Sequence, residues 1–540
     1  MFNFLCLDFL TKSTRFSYTR AAHFTHLSYH LKTKTPHKPH KPQKHKHPTK
    51  ILPMPRNLHS ILFFFTISLI ISQWIVVSSI GVNWGTSASH PLPPDKVVEL
   101  LKSNGINKVK LFDADPIVLE SLSGSGISVI VGIPNSLLRS LSSSKKVSDS
   151  WVHDNLTRYF SNGGRTVRIE YIAVGDEPFL QSYGKQFQPF LVGALTNIQI
   201  ALTKAKLDKK VKVVVPCNSD AFLSESGLPS KGHFRPDLNK TMNQLLTFLS
   251  KHQSPFFINI YPFLSIHQNK NTSLDFALFK PTAHSLNDSH RTYKNSFDLS
   301  FDTLVTALSK VGFPDIEIVV GQIGWPTDGA LNASSSIAQN FMKGLVDHLQ
   351  SRLGTPLRPR KPPLDMYIFS LLDENQRNIT TGNFERHWGV FTFDGQAKYN
   401  IDFGQGSRKL MNAQNVEYLP SSWCVVNNNK DVSNVAGSAL KACSAADCSA
   451  LSPGGSCFNI TWPGNVSYAF NSYYQLQNQR ADSCDFNGLG LITTVDPSVG
   501  RCRFAVELRT SASIALEWTP LLWRRLLMLA SFYVCLFWLT

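Results

Sequence analysis

Short apolar runs of strand type alternate with helical patterns from Ile80 onward. A strand buried on both faces is a continuous apolar run of about four to eight residues, whereas a surface helix repeats its apolar positions roughly every three or four. The predicted strands are Ile80–Asn83, Val109–Phe112, Ser128–Gly132, Tyr171–Val174, Val211–Val215, Phe256–Ile260, Ile316–Val320 and Met366–Leu371. The predicted helices include Asp95–Ser103, Phe190–Lys206, Lys240–Lys251, Asp302–Val311 and Ile337–Arg352.

The number and order of these units predict the fold class. Eight β-then-α units over residues 80–403 predict an α/β protein with a (β/α)8 TIM barrel. A doubly wound open sheet is the alternative, but the first strand continues into GVNWGT and not into a GxGxxG turn. Barrel strands present their carboxyl ends on one face, so polar residues at those ends are candidate site residues.

A unit of different composition follows the barrel. Residues 404–422 form a short polar linker, and residues 423–505 hold six cysteines spaced C-x18-C-x4-C-x8-C-x26-C-x17-C. Clustered cysteines predict disulfides and an oxidising compartment. A zinc site is not expected, because the spacing lacks paired CxxC and the unit contains no His. The cysteines are Cys424, Cys443, Cys448, Cys457, Cys484 and Cys502.

The two ends of the chain have patterns of their own. Residues 1–53 include KTKTPHKPHKPQKHKHPTK and predict a disordered basic extension, or a segment upstream of the true start. Residues 54–79 contain a basic residue followed by the apolar run Ile61–Val77, which predicts a signal peptide, with a membrane anchor as the alternative. Residues 506–540 end in the apolar Leu526–Leu539 and predict a glycosylphosphatidylinositol signal, or a retained tail anchor.

The formal net charge of +17 is concentrated at the start of the chain. Eleven Lys or Arg and one acid in residues 1–56 account for +10 of it, so nucleic-acid binding is not implied. Eight Asn-x-Ser/Thr sequons agree with passage through the secretory route. The predicted glycosylation sites are Asn155, Asn239, Asn271, Asn287, Asn332, Asn378, Asn459 and Asn465.

Two strand ends carry the candidate chemistry. The fourth predicted strand ends at Gly175 and continues into Asp176 and Glu177 in YIAVGDEPF, and the seventh continues into Gln322 in IEIVVGQIGWPTDG. Buried acids cost free energy unless they are paired, so acids at a strand end usually face a cleft. The alternative for Glu177 is a loop acid in a salt bridge.

Together these two stretches resemble the plant family 17 glycoside hydrolases, the endo-1,3-β-glucanases. The family's -VGNEP- motif carries the acid/base Glu, and its -VGE-x-GWP- motif carries the nucleophilic Glu. The resemblance implies a (β/α)8 barrel, retaining hydrolysis of 1,3-β-glucan such as callose, and no metal or organic cofactor. It places the acid/base at Glu177, the nucleophile at position 322, where this chain has Gln322, and Asp176 at the position of the family's Asn.

The same resemblance implies further substrate-binding residues. The stretch LDENQR matches the family segment that ends the eighth strand and gives Glu374 and Arg377, the latter an Arg where the family has Lys. Glu385 in NFERHWG matches another cleft acid, and Tyr261 in FFINIYPF resembles a cleft tyrosine. Trp325 in GWP lines the sugar path in one interpretation and packs in the core in the other.

The C-terminal unit resembles the plant carbohydrate-binding module of family 43. The resemblance rests on the six cysteines and on the segment SYAFNSYYQ. It implies glucan binding, with Tyr468, Phe470, Tyr473 and Tyr474 as candidates to stack on sugar rings. At least two of the four are expected in the core, because aromatic residues in small domains mostly fill space.

Gln322 leaves the activity open, because a neutral amide is a very poor nucleophile. Three interpretations compete: a catalytically inactive glucan-binding protein, a one-base sequence error, and a negative charge relocated to Asp176. Loss or severe reduction of activity is the first expectation, and a structural adhesion protein is a further class. The whole sequence predicts a secreted, glycosylated monomer at the outer face of the plasma membrane or in the cell wall. Its expected partners are 1,3-β-glucan and, through an anchor, the membrane.

Overall fold

The computed structural model describes four ranges of the chain: residues 80–160, 166–268, 272–406 and 408–509. The expected basic extension and signal peptide, the tail from residue 510 and the sequon at Asn271 lie outside these ranges. Within them, no helix combines the length and the apolar character needed to cross a membrane.

Parallel strands in the described ranges form one sheet that closes on itself. In chain order, barrel strands 1 to 8 are Ile80–Trp84, Lys108–Leu111, Ser128–Ile133, Arg168–Val174, Lys212–Val214 with Pro216–Cys217, Phe256–Asn259, Ile318–Ile323 and Met366–Ile368. Strand 8 pairs with strand 1 through Met366 and Ile80. Strand 5 is interrupted at Val215, so that Lys212–Val214 pairs with strand 4 and Pro216–Cys217 pairs with strand 6. The predicted (β/α)8 barrel is therefore confirmed, and every predicted strand overlaps an observed one.

Helices flank the barrel strands. The longer helices of the barrel are Pro94–Ser103, Gln188–Lys204, Asn239–Lys251, Ser296–Lys310 and Ser335–Ser351. Shorter helices are Pro116–Leu122, Leu138–Ser143, Lys145–Val152, Arg158–Phe160, Pro262–Gln268 and Leu274–Ala277, with a π turn at His153–Thr157. The helix predicted from Asp302 begins six residues earlier, because the Asn295 side chain accepts from the backbone N–H of Asp298 and caps an earlier start.

Small hairpins and single turns lie in the loops of the barrel. The hairpins pair Phe222–Leu223 with His233–Phe234 and Leu286–Asp288 with Arg291–Tyr293. Turns of 3-10 helix lie at Asn135–Leu137, Gln181–Tyr183, Ser219–Ala221, Pro229–Lys231, Pro236–Leu238 and Asn383–Arg386.

Buried side chains fill the inside of the barrel. A cluster within the sheet is formed by Ile130, Ala173, Val214, Phe257, Val319 and Tyr367, which come from strands 3 to 8. A larger apolar cluster lies between the strands and the helices. Because the interior is packed, a cleft can form only at the rim, where the loops that follow the strands converge.

The C-terminal unit is a small disulfide-bonded domain. Trp423–Val426 pairs antiparallel with Gly490–Thr493, and the helices Val435–Ala445 and Gly464–Leu476 pack beside this pair. Its 3-10 turns are Ser449–Leu451, Ala481–Cys484 and Phe486–Gly488. The six cysteines pair as Cys424–Cys484, Cys443–Cys448 and Cys457–Cys502, so the predicted disulfide framework is confirmed. The sequence alone does not predict which cysteines pair.

The four aromatic residues singled out in this domain have different environments. Phe470 and Tyr474 are buried, as expected for at least two of them, and the Phe470 ring stacks on Phe486 with 3.8 Å between centroids. Tyr468 and Tyr473 are half-buried. Of these four residues, only Tyr468 and Tyr473 therefore have surface to offer a sugar.

Candidate active site

The end of strand 4 holds two carboxylates in a fixed turn. Gly175 and Glu177 have positive φ angles of 76° and 49°. This conformation costs a non-glycine residue about 1–2 kcal/mol. Hydrogen bonds oppose that cost: the Glu177 N–H donates to Pro216 O at 3.0 Å. The Asn135 side chain donates to Asp176 O at 2.8 Å and accepts from Asp176 N at 3.0 Å. The two acids are thereby held on strand 4 at the rim.

Asp176 contacts both a cation and an amide. Its Oδ1 accepts from Lys110 Nζ at 3.2 Å and from Gln322 Nε2 at 3.0 Å. Lys110 is 1% exposed, and its ammonium also lies 4.1 Å from the centre of the Phe112 ring. Burial lowers the pKa of Lys110, and the Asp176 carboxylate opposes this effect. The Asp176 side chain is 35% exposed, so a carboxylate balanced by a buried cation still reaches the cleft.

Gln322 lies at the end of strand 7 with both ends of its amide engaged. It is buried, its Nε2 faces Asp176, and its Oε1 accepts a hydrogen bond from the Tyr261 hydroxyl. A carboxylate only accepts hydrogen bonds, so the nitrogen of the amide must face Asp176. Burial raises the pKa of Tyr261 well above its usual range, so the phenol remains a donor. Position 322 therefore contributes a fixed, neutral group.

Glu177 is held close to the same amide. Its Oε1 accepts from Asn259 Nδ2 at 2.8 Å, and Asn259 pairs with Gln322 across strands 6 and 7. Burial and, next, the negative charge of Asp176 raise the pKa of Glu177 to about 7. Glu177 and Gln322 thus lie in one cluster, with Asp176 and Asn259 between them. In this cluster the Asp176 carboxyl is ion-paired with Lys110, and the Glu177 carboxyl takes up a proton readily.

A second group of charges follows strand 8. Arg377 Nη1 lies 3.3 Å from Glu374 Oε2, and Arg377 Nε lies 3.5 Å from Glu385 Oε2. Glu374 is 4% exposed and also accepts from the backbone N–H of Ser87 at 2.8 Å. Glu385 accepts from the indole of Trp388 at 3.1 Å, and burial raises its pKa. The predicted set Glu374, Arg377 and Glu385 is therefore one ion-paired unit.

Aromatic rings join the two groups. The Tyr261 ring lies 5.4 Å from Trp388 and 5.9 Å from Phe369, between ring centroids. The guanidinium of Arg377 lies 4.6 Å from the centre of the Phe369 ring. The residues predicted on strand ends 4, 6, 7 and 8 are thus brought together at one rim, and Trp325 is the exception.

Trp325 is fully buried and belongs to the core. Its ring packs against Phe263 and Phe341, with centroids 5.4 and 5.1 Å away, and its indole N–H donates to Asn332 O at 2.9 Å. A ring without exposed surface cannot line a sugar path. The packing interpretation is therefore the one that fits, and the substrate-binding assignment of Trp325 is corrected.

Three residues of the cluster were not predicted: Lys110, Asn135 and Asn259. Lys110 and Asn259 interrupt the apolar runs KVKLF and FFINI, and both are buried. A charged or amide side chain inside a buried strand needs a partner, so these interruptions were a usable signal. Asn135 lies in a loop and carries no such signal.

The predicted glycosylation sites differ in exposure. Among the described residues, the exposed sites are Asn239, Asn287, Asn378, Asn459 and Asn465. Asn155 and Asn332 are half-buried, and the Asn155 amide nitrogen donates to Trp151 O at 2.9 Å. Glycosylation remains a prediction at all of these sites.

Comparison with known proteins agrees with this geometry. The family model described as glycosyl hydrolases family 17 matches residues 80–403, and the X8 domain model matches residues 422–491. The chain belongs to glycosyl hydrolases family 17. Its barrel is the glycoside hydrolase domain, and the disulfide-bonded unit is its X8 domain.

Relatives of this family 17 protein match over most of their length. It is 64% identical over 460 residues to an Arabidopsis thaliana protein named glucan endo-1,3-beta-glucosidase 9, covering 85% of this chain and 95% of the relative. It is 45% identical over 450 residues to Arabidopsis thaliana glucan endo-1,3-beta-glucosidase 5, covering 83% of this chain and 92% of the relative.

Solved structures support the same fold for the family 17 barrel. A beta-1,3-glucanase and allergen of Cryptomeria japonica pollen is 35% identical with a TM-score of 0.57, covering 61% of this chain and 100% of that chain. A plant beta-glucan endohydrolase is 31% identical with a TM-score of 0.54, covering 60% of this chain and 99% of that chain.

Proposed function

We propose that this protein hydrolyses internal linkages of 1,3-β-glucan, with Glu177 as the proton donor and Asp176 as the carboxylate that acts at the anomeric carbon. The single observation that carries this proposal is the 3.0 Å contact between Gln322 Nε2 and Asp176 Oδ1. The family pattern has an amide at position 176 and a carboxylate at position 322. This chain has the two groups exchanged, so one amide and one carboxylate are still paired across strands 4 and 7.

The state of Glu177 suits a general acid. Cleavage of a glycosidic bond requires a carboxylic acid that protonates the leaving oxygen, and such an acid works best with a pKa near the working pH. Burial and the neighbouring Asp176 raise the pKa of Glu177 to about 7, and Asn259 orients its Oε1. Glu177 therefore carries a proton in mildly acidic to neutral solution.

Asp176 has the properties that Gln322 lacks. It is an acidic side chain, 35% exposed, and it forms an ion pair with Lys110, whereas Gln322 is neutral and 2% exposed. We infer a retaining double displacement in which the sugar is transferred to Asp176 and then to water. The shorter arm of Asp and the hold of Lys110 are expected to make this reaction slower than in an enzyme with Glu at position 322.

The substrate class rests on the cleft, the relatives and the second domain. The two Arabidopsis thaliana relatives carry the name glucan endo-1,3-beta-glucosidase, and the two solved structures described above are plant glucanases. The half-buried Tyr468 and Tyr473 of the X8 domain offer rings on which sugars stack. Binding of the X8 domain to the polymer would keep the barrel near its substrate.

A second candidate is a 1,3-β-glucan-binding protein without turnover. The observation that favours it is that Asp176 Oδ1 already accepts hydrogen bonds from Lys110 and from Gln322. A carboxylate tied to two donors is a weaker nucleophile, so binding without bond cleavage is the outcome if Asp176 cannot leave these partners.

The deciding experiment is hydrolysis of laminarin by the full chain secreted from a plant or yeast host. We expect release of short oligosaccharides and reducing ends, with retained anomeric configuration in the first product seen by proton NMR. Asp176→Asn is expected to abolish this release. Binding of laminarin without release of reducing ends would establish the second candidate. Inverted anomeric configuration in the first product would mean that Asp176 activates a water molecule and is not the nucleophile.

We also propose that the mature protein is secreted and tethered to the outer face of the plasma membrane. Support comes from the apolar segments at both ends of the sequence and from the three disulfides, which persist in oxidising compartments. Treatment of membranes from expressing cells with phosphatidylinositol-specific phospholipase C should release the protein. Retention after this treatment, with release by detergent, would indicate a retained tail anchor.

A further inference from the structure

The X8 domain contacts the barrel at the rim that carries the active-site cluster. The contacts come from the loops that follow strands 1, 7 and 8, and the loop after strand 8 also holds the ion-paired Glu374, Arg377 and Glu385. The hydrogen-bonded pairs include Ser456 N with Asp328 Oδ1 at 2.7 Å, Arg386 Nη1 with Asp447 Oδ1 at 3.0 Å, and His90 Nε2 with Asn478 Oδ1 at 3.0 Å. A domain that served only as a tether would not need to contact these particular loops.

Arg386 links the X8 domain to the backbone of the cleft. Its Nη1 donates to Asp447, and its Nε donates to the Arg377 carbonyl at 3.1 Å. The Arg386 carbonyl accepts from the N–H of Glu374 at 3.2 Å, and Glu385 precedes Arg386 in the chain. Arg386 therefore connects Asp447 to Arg377 through its side chain, and to Glu374 and Glu385 through its own backbone.

Asp447 is itself held firmly within the X8 domain. It precedes Cys448 in the short loop closed by the Cys443–Cys448 disulfide, and its Oδ1 accepts from the Ser449 N–H at 2.9 Å. Asp447 and Arg386 are 20% and 16% exposed. A charged hydrogen bond that is mostly withdrawn from water is stronger than an exposed ion pair. Beside it, His387 Nε2 lies 2.7 Å from the Ser449 hydroxyl.

We infer that the X8 domain completes the cleft, and that Asp447 is a positioning residue that holds Glu374, Arg377 and Glu385 in place through Arg386. The inference rests on the proposed function in one respect: it takes these three residues to bind 1,3-β-glucan. It makes the X8 domain important for soluble oligosaccharides, which need no tether, as well as for the insoluble polymer.

The test compares Asp447→Asn with Asp482→Asn in the full chain. Asp482→Asn is the matched control. It lies in the same domain and removes an ion pair with Arg480, but both side chains of that pair are 66% exposed. Hydrogen exchange over residues 374–388 measures the order of the loop, and calorimetry measures affinity for laminarihexaose. Loss of a charged hydrogen bond is expected to speed this exchange and weaken this binding about tenfold in Asp447→Asn. Asp482→Asn should match the wild type, and Asp447→Glu should restore part of both quantities.

Two comparisons make the outcome decisive. Binding to insoluble glucan should weaken by the same factor as binding to laminarihexaose, whereas a defect confined to the insoluble polymer would indicate a tether and overturn the inference. Unchanged exchange over residues 374–388 would also overturn it. If the wild type itself fails to bind laminarihexaose, the proposed function is wrong, and the exchange measurement still decides the positioning role.

A variant on the barrel side covers the case in which Asp447→Asn disturbs the X8 domain. Arg386→Gln removes the guanidinium and leaves Asp447 bound to Ser449, so the X8 domain keeps its own contacts. Exchange over residues 374–388 should then rise while exchange over residues 435–451 stays at the wild-type rate. Wild-type exchange in both segments of Arg386→Gln would refute the positioning role.

Discussion

Gln322 donates its amide hydrogen to the Asp176 carboxylate across strands 4 and 7, with 3.0 Å between Nε2 and Oδ1. The two positions are 146 residues apart in the chain, yet the fold brings their side chains into direct contact. A Glu at position 322 would face a second carboxylate here, and an Asn at position 176 would leave the cleft without this anion. We therefore propose that the two positions form one coupled exchange of a carboxylate and an amide.

The exchange predicts a rescue. Asp176→Asn alone should lower the turnover of laminarin by about 10⁴-fold or more, the usual scale for loss of a catalytic group. Adding Gln322→Glu should place a carboxylate at the end of strand 7 and return activity to at least the wild-type level. Reducing-end release by the wild type, the single variants and the double variant measures this coupling.

Asp347→Asn is the matched control for the rescue, because Asp347 is 58% exposed in an ion pair with Lys343 on a surface helix. It should keep wild-type activity. A double variant that stays as inactive as Asp176→Asn would count against the assignment of the two strand ends.

The acid role of Glu177 predicts how activity depends on pH. Its pKa is raised to about 7, so the proton needed by the leaving group is present below pH 7 and is lost above it. The value of kcat/KM for laminarin should therefore fall as the pH rises through about 7. A profile that stays flat to pH 9 would argue against Glu177 as the acid.

The same shift predicts a stability effect with a definite sign. Because the pKa of Glu177 is raised in the folded state from 4.5 to about 7, the folded protein binds more protons between these values. The contribution of Glu177 to the free energy of unfolding is therefore lost as the pH rises through this window. Relative to the wild type, Glu177→Gln should gain stability from pH 4.5 to pH 8. Denaturant titrations measure this gain, and the exposed Glu99→Gln should show none.

The sequence predicts the barrel well because most residues of its strands are buried. Runs such as SVIVGI have few polar positions to confuse the pattern, and the strand ends are marked by Gly175 and by GWP. Asp176, Glu177 and Gln322 could be assigned to one rim because parallel strands bring their carboxyl ends together. The hydrogen bond between Gln322 and Asp176 lies at this rim.

The rest of the site depends on long-range contacts that no local pattern records. Asn135 clamps the Asp176 peptide from a neighbouring loop, and Lys110 reaches Asp176 from strand 2. The contact of Asp447 with Arg386 joins two domains, and it depends on how their surfaces meet. The GWP motif misled in one respect, because a Trp next to a cleft residue can point into the core, as Trp325 does.

The buried position of Trp325 predicts a loss of stability without a loss of sugar affinity. Trp325→Ala removes a fully buried ring from among Phe263 and Phe341, and such truncations cost about 3–5 kcal/mol. Denaturant unfolding should show this decrease. Calorimetry with laminarihexaose, at a temperature where the variant is folded, should give the wild-type dissociation constant. A large loss of affinity in the folded variant would mean that Trp325 does contribute to substrate binding.

The ion pair between Lys110 and Asp176 predicts energetic coupling between two positions of the site. Lys110→Met leaves the Asp176 carboxylate without its buried counter-charge, and breaking such a pair costs a few kcal/mol, reduced to about 1–3 kcal/mol because Asp176 is partly exposed. In the double variant with Asp176→Asn the orphaned charge is gone, so the two losses should not add. Denaturant unfolding of the four proteins measures the coupling, and Lys343→Met, which breaks an exposed pair, provides the reference. Additive losses would mean that Lys110 does not balance the charge of Asp176, and the relocated carboxylate would lose its main electrostatic support.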